Sequence, residues 1–308
     1  MANKGNNKEG FSKMSINWYP GHMEKTRRQI AEDLKLVDIV IELLDARIPI
    51  SSQNPEIAKI VNNKKKIVVL NKCDLSDENV NNQWVEYFKQ KGISAVLTDS
   101  NSGNGISKCI KQVENIMKED LEILAQKGRI GRKIRAMILG IPNVGKSSFI
   151  NRISKKTSAG VANKPGVTRM KQWIRINEKL ELLDTPGVLW PKFESEEVAL
   201  NLAFTGTIKD DVIDREEVAF YFIKWILDSK YRQNLCQRYK IQEYEIEDIL
   251  EKPQDENANI YDIFLLIGKK RGAIISGGKI DEQKTARIIL DDFRNTRIGK
   301  ISLEKPNL

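Results

Sequence analysis

The eight residues Gly140-Ile-Pro-Asn-Val-Gly-Lys-Ser147 constrain this chain more than any other stretch. They match G-x-x-x-x-G-K-[ST], a loop whose backbone N–H groups cradle nucleotide phosphates. The context agrees, because the apolar run Ala136-Met-Ile-Leu139 predicts a strand before the loop and Ser148-Phe-Ile-Asn-Arg152 predicts a helix after it. In that arrangement the N–H groups of Asn143, Val144, Gly145, Lys146 and Ser147 face the phosphates, backed by the positive end of the helix dipole, and Ser148 is the next candidate contact. Lys146 is placed to reach the outer phosphates and the Ser147 hydroxyl to bind Mg²⁺. A plain glycine turn before a helix would need neither the lysine nor the serine.

A second motif reads a base. Asp38-Ile-Val-Ile-Glu-Leu-Leu-Asp45 and Lys66-Ile-Val-Val-Leu70 read as buried parallel strands, and the second runs directly into Asn71-Lys-Cys-Asp74. The carboxyl end of a parallel strand is where α/β folds bind ligands. There the Asp74 carboxylate can accept from both the ring N–H and the exocyclic amine of guanine, whereas adenine would leave it unpaired. Asn71 is expected to read the other edge of the base, and the stem of Lys72 to pack along it, with Cys73 between them and Asp74. Placed beside a phosphate loop, N-K-x-D specifies GTP over ATP. After the strand Ile93 to Leu97, the turn Thr98-Asp-Ser-Asn-Ser-Gly-Asn-Gly105 makes Asp99 and Ser100 candidates for a backbone N–H to the guanine carbonyl; an ordinary polar turn is the other reading.

Two loops after the phosphate loop complete the nucleotide machinery. Lys164-Pro-Gly-Val-Thr168 places Thr168 to finish the Mg²⁺ coordination when a γ-phosphate is present, and Leu180-Glu-Leu-Leu-Asp-Thr-Pro-Gly187 places Asp184 near the metal and the Gly187 N–H near the γ-phosphate. An ordinary small GTPase carries the phosphate loop first and N-K-x-D later. Here the base-reading half comes first, an order that the same sheet tolerates when the old termini lie close together. The expected fold is α/β: a circularly permuted P-loop domain over residues 1–190, mostly parallel sheet with helices on both faces, then a small all-helical domain over 191–308. The polar residues 1–14 are expected to be disordered. Helices are predicted over 24–36, 77–91, 106–127, 216–229, 232–239, 245–250, 260–267 and 281–293.

Composition bounds the setting. No apolar run approaches a membrane span, the N-terminus lacks a signal-peptide core, and the three cysteines, Cys73, Cys109 and Cys236, are scattered, so a cytoplasmic protein is expected. The net charge is +9, and Lys127 to Arg175 holds thirteen Lys or Arg with no Asp or Glu. Arg129, Arg132, Lys133, Lys155 and Lys156 exceed what one triphosphate needs, so RNA contact competes with a solvated basic face as the reading. Lys269, Lys270, Arg271, Lys279, Arg294 and Arg297 form a second basic group and are candidates for RNA phosphates. The chain shows no lipid anchor or basic amphipathic helix, so a membrane is not expected as a partner; DNA is not expected as a partner either.

Taken together, W-Y-P-G-H-M at Trp18 to Met23, D-A-R at Asp45 to Arg47, N-K-C-D, G-I-P-N-V-G-K-S, P-G-V-T, D-T-P-G-V-L-W-P ending at Pro191, and I-G-K-K-R-G at Ile267 to Gly272 are similar to the ribosome biogenesis GTPase A family of circularly permuted GTPases. The resemblance covers nearly the whole chain. It implies a GTPase acting late in assembly of the large ribosomal subunit, with ribosomal proteins and rRNA as partners and the helical domain contacting rRNA. It also implies roles for two residues. His22, the chain's single histidine, would orient the attacking water, since Val188-Leu189-Trp190 offers no glutamine for that task. Asn143 would help to hold a K⁺ ion beside the phosphates. A GTP-gated RNA-binding scaffold, whose nucleotide state sets affinity without hydrolysis, is the alternative.

Overall fold

A computed structural model describes residues 23–61, 64–155, 173–183, 193 and 195–307. The elements of the first part are α1 (Met23–Asp33), β1 (Ile39–Asp45), α2 (Pro55–Val61), β2 (Lys65–Asn71), α3 (Glu78–Gln90), β3 (Ser94–Thr98), α4 (Ile106–Gln126), β4 (Ile134–Leu139), α5 (Lys146–Lys155), β5 (Trp173–Arg175) and β6 (Leu180–Leu183). The helical part holds α6 (Glu196–Phe204), α7 (Arg215–Leu227), α8 (Arg232–Tyr239), α9 (Glu243–Leu250), α10 (Glu256–Lys270) and α11 (Glu282–Arg294).

The six strands form one sheet in the order β3-β2-β1-β4-β6-β5, parallel except for the antiparallel β5-β6 edge. β1 and β4 are paired at the centre of the sheet. All seven residues of β1 are buried, as expected of a strand covered on both faces. Ile39, Ile41 and Leu43 of β1 pack with Val113 and Met117 of α4 and Phe149 of α5. On the opposite face Val40 meets Ile30 and Ile57, from α1 and α2, and Leu44 meets Trp84 and Phe88 of α3. Helices on both faces therefore follow from the alternation along β1.

Parallel pairing carries the ends of β1, β2, β3 and β4 to one edge. Asp45 is level with Asn71, and Asn71 with Thr98. That common edge brings together Asn71 and Val144, which stand 73 residues apart in the sequence.

The helical part is not a separate core. One cluster of buried apolar side chains runs from Ile41 and Leu43 through Ile141 and Val144 to Leu202, Phe204, Phe222, Phe293 and Ile301. α6, next to the phosphate loop, went undetected in the sequence because Ala199, Leu202, Ala203 and Phe204 are buried around it and leave no clear amphipathic period. A start signal was there to read: the Ser195 hydroxyl caps α6 by accepting from the Val198 N–H at 3.2 Å. Among the described residues no helix is long and apolar enough to cross a membrane.

A nucleotide cleft at the strand ends

Asn71 is the hub of the candidate site. Its amide Nδ2 donates to the Val144 carbonyl of the phosphate loop at 2.8 Å. Its Oδ1 accepts from the Thr98 hydroxyl at 3.1 Å, the Ser100 N–H at 3.2 Å and the Ser100 hydroxyl at 2.6 Å. One side chain, 1% exposed, thus ties the N-K-C-D loop, the 98–105 turn and the phosphate loop together. Gly145 has to be glycine here: at φ +98° an added Cβ would stand 2.4 Å from Asn71 Nδ2. Asn71 is therefore first a positioning residue, and only its second amide hydrogen is left for a base edge.

The base loop is held from its other side too. The Cys73 N–H donates to the Thr98 carbonyl at 3.2 Å, and Arg152 of α5 reaches the Ser100 carbonyl at 3.4 Å. The Asp99 carboxylate accepts from the N–H groups of Asn101 and Ser102, while its own N–H donates to the Asn104 carbonyl. The N–H groups of Asp99 and Ser100, the two candidates for the guanine carbonyl, have internal acceptors here, in keeping with the polar-turn reading. Asp99 shapes the turn.

Lys72 adopts a left-handed backbone, φ 60°, and sends its ammonium 3.0 Å from Asp45 Oδ2. Asp45 also receives both arms of the Arg47 guanidinium, at 2.9 and 2.7 Å. Burial by itself would raise the Asp45 carboxyl, but Arg47 and Lys72 outweigh it and hold Asp45 far below the usual carboxylate range. The D-A-R motif is thereby explained: Asp45 anchors Lys72, so that the lysine stem lines the cleft.

Asp74 is half-buried, and its carboxyl is pushed up by burial and by the negative charge of Asp99. Burial also pushes the neighbouring Cys73 thiol up to about 11, so Cys73 stays neutral.

These loops enclose a cleft of about 270 Å³ lined by Arg47, Asn71, Lys72, Asp99, Ser100, Asn143, Gly145 and Ser148, and by Thr205 and Arg294 of the helical part. Asp74, Lys146 and Ser147 lie outside that lining. Asn143, at φ 58°, donates its side-chain amide to the Gly206 carbonyl at 2.8 Å. Ser147 is exposed in the first turn of α5, where the N–H groups of a helix start and the helix dipole favour anions. An exposed hydroxyl beside a phosphate cradle is an oxygen donor of the kind Mg²⁺ takes, so the donor chemistry fits the ion. His22, Thr168, Asp184 and Gly187 lie outside the described residues, as do residues 18–22 of the W-Y-P-G-H-M segment.

Part of the second basic group is paired within the chain. Arg294 forks onto Asp210 at 2.8 and 2.9 Å and donates to the Phe204 and Ala203 carbonyls, both at 2.9 Å, so it caps the C-terminal end of α6. Arg297 pairs with Asp292 at 3.1 Å, and Lys270 with Glu245 at 2.9 Å. Lys269, Arg271 and Lys279 are exposed, next to the exposed Ile274 and Ile275. Near the phosphate loop, Arg132 pairs with Asp38 at 2.7 Å and Lys133 lies 3.9 Å from Glu181.

A phosphate loop after β4 and a base-reading loop after β2, joined by Asn71 at one sheet edge, define a P-loop GTPase whose two halves are permuted along the chain. Comparison with known proteins bears this out. The model of a family described as 50S ribosome-binding GTPase matches residues 135–267. Ribosome biogenesis GTPase A of Bacillus cereus is 44% identical over 293 residues, covering 95% of each chain. The protein of that name from Thermotoga maritima is 28% identical over 94% of this chain and 95% of its own. Among solved structures, GNP-bound YlqF from T. maritima matches with a TM-score of 0.57 at 25% identity, over 92% of this chain and 99% of that one. The chain belongs to the ribosome biogenesis GTPase A family, and it is an enzyme that binds and hydrolyses GTP.

Proposed function

We propose that this GTPase binds a precursor of the large ribosomal subunit in the cytoplasm and couples GTP hydrolysis to a late step of its assembly. The observation that carries the reading is the Asn71 hub, which unites base-reading and phosphate loops in a chain similar over 95% of its length to proteins named for ribosome biogenesis. The matched family model, described as ribosome-binding, favours the large subunit.

In this reading Asp74 accepts from guanine, Lys72 packs along the base, and the first turn of α5 with Lys146 holds the phosphates. Ser147, Thr168 and Asp184 would hold Mg²⁺, which supplies positive charge to the reacting phosphates when bound. Gly187 would contact the γ-phosphate. Asn143 keeps its amide oxygen for a K⁺ ion while its nitrogen is held by Gly206. His22 orients the attacking water once the bound particle brings the N-terminal segment over the γ-phosphate. Lys269, Lys270, Arg271, Lys279 and Arg297, all exposed, are candidates for rRNA phosphates, with ribosomal proteins as further partners.

Sedimentation with purified subunits tests the partner: with a non-hydrolysable GTP analogue the protein should travel with large-subunit particles and not with small ones. Travel with neither, or with both alike, would refute it. His22→Ala should keep GTP affinity and particle binding while losing particle-stimulated turnover; undiminished stimulated turnover would remove His22 from the mechanism.

A further inference from the structure

After α11 the chain returns as a strap across the base end of the nucleotide site. The Ile301 N–H donates at 3.3 Å to the carbonyl of Leu75, the residue after Asp74. The Ser302 hydroxyl accepts from the Asp77 N–H at 3.1 Å, at the start of α3. The N–H groups of Leu303 and Glu304 converge on the Arg47 carbonyl at 2.9 and 3.3 Å. The Glu304 carboxylate accepts from the N–H groups of Ile50 and Ser51 at 2.6 and 2.9 Å, from the Ser51 hydroxyl, and from Asn201 of α6 at 3.3 Å. Meanwhile the Arg47 guanidinium stands 5.4 Å over the ring of Phe293 in α11.

We propose that residues 300–304 are positioning residues of guanine recognition: the strap clamps both loops that carry the base-reading groups, 45–51 and 71–77, and so ties nucleotide affinity to the docking of the helical half. Every strand-end loop that holds Lys72 or Asp74 has a backbone group paired with this strap. Electrostatics runs the same way. The charged groups facing Asp74 are Asp99 from the 98–105 turn, Arg47 from the end of β1 and Lys300 from the strap; Lys72, on Asp74's own loop, is committed to Asp45. Burial and Asp99 push the Asp74 carboxyl up, and Arg47 and Lys300 pull it down. Lys300 therefore helps to keep Asp74 in the ionised form that can accept two hydrogen bonds from guanine.

Coupling between sites is reciprocal, so a partner that lifts the strap would weaken guanine nucleotide binding, and bound nucleotide would hold the strap down. The test is the dissociation constant of fluorescent GDP across pH 4 to 8 for full-length variants. Lys300 is exposed, so its substitution spares the fold. Lys300→Met should weaken GDP binding about two- to fivefold and move the acid limb of the profile to higher pH, while Lys300→Arg leaves both in place. Glu304→Ala should weaken GDP about tenfold, within the usual range for coupled sites. Superimposable pH profiles for Lys300→Met and the unaltered protein would overturn the proposal, as would unchanged GDP affinity in a folded Glu304→Ala. If Glu304→Ala does not fold, the Lys300 pair decides alone.

Discussion

In the proposed reading Asp74 must be charged to accept from guanine, yet its surroundings resist the charge. Burial and the nearby Asp99 raise its carboxyl above the ordinary carboxylate value. Binding needs the ionised form, so GDP affinity should be full above that raised value and fall as the pH drops through it. The expected profile loses affinity at a higher pH than an isolated aspartate would, which a fluorescence titration checks. Asp74→Asn replaces two acceptor sites with one acceptor and one donor. It should cost at least about a hundredfold in GDP affinity, because a site built for two donors rejects a mismatched partner strongly, and it should favour xanthine nucleotides, whose ring carries a carbonyl where guanine has its amine. Competition between GDP and xanthosine diphosphate measures the change. That the N-K-C-D loop and the phosphate loop would meet at the strand ends was legible from residue type and spacing. Asn71 was legible as a site residue but not as a hub, because its partners Val144, Thr98 and Ser100 are adjacent only once β2, β3 and β4 are paired.

At the scale of elements, the loop after β1 rests on a buried charge cluster. Asp45 is fully buried and holds Arg47 and Lys72, so Asp45→Ala would leave two cations without a counter-charge. A loss of about 3–5 kcal/mol in unfolding free energy is expected, as for other broken buried pairs, together with weaker GDP binding as Lys72 loses its anchor. Denaturant unfolding and GDP titration of the same variant would show both. The continuous apolar runs of β1, β2 and β4 announced themselves in the sequence because strands covered on both faces need no alternation. α6 did not, and neither did the strap. Residues 300–304 form no regular element, and their bonds to Leu75, Asp77 and Arg47 span more than 200 residues of chain. Arg294 shows the same limit from the other side. A basic residue on a charged helix reads as solvent-facing until the carbonyls at the end of α6 and Asp210 are seen around it.

For the whole molecule, permutation places the helical half directly after the switch sequence that ends at Gly187 and returns the C-terminal strap to the N-K-C-D loop. Asn143 meets Gly206, Thr205 and Arg294 line the cleft, and the apolar core runs unbroken between the halves. A partner gripping the helical half therefore has a short physical route to both the phosphate loop and the N-K-C-D loop. The most direct test is the initial rate of GTP hydrolysis by the full-length protein in K⁺ buffer, alone, with large ribosomal subunits and with small ones. A large stimulation by large subunits only is the expected result, with the stimulation reduced when Na⁺ replaces K⁺. A rate indifferent to large subunits, or raised equally by small ones, would contradict the coupling of hydrolysis to large-subunit assembly.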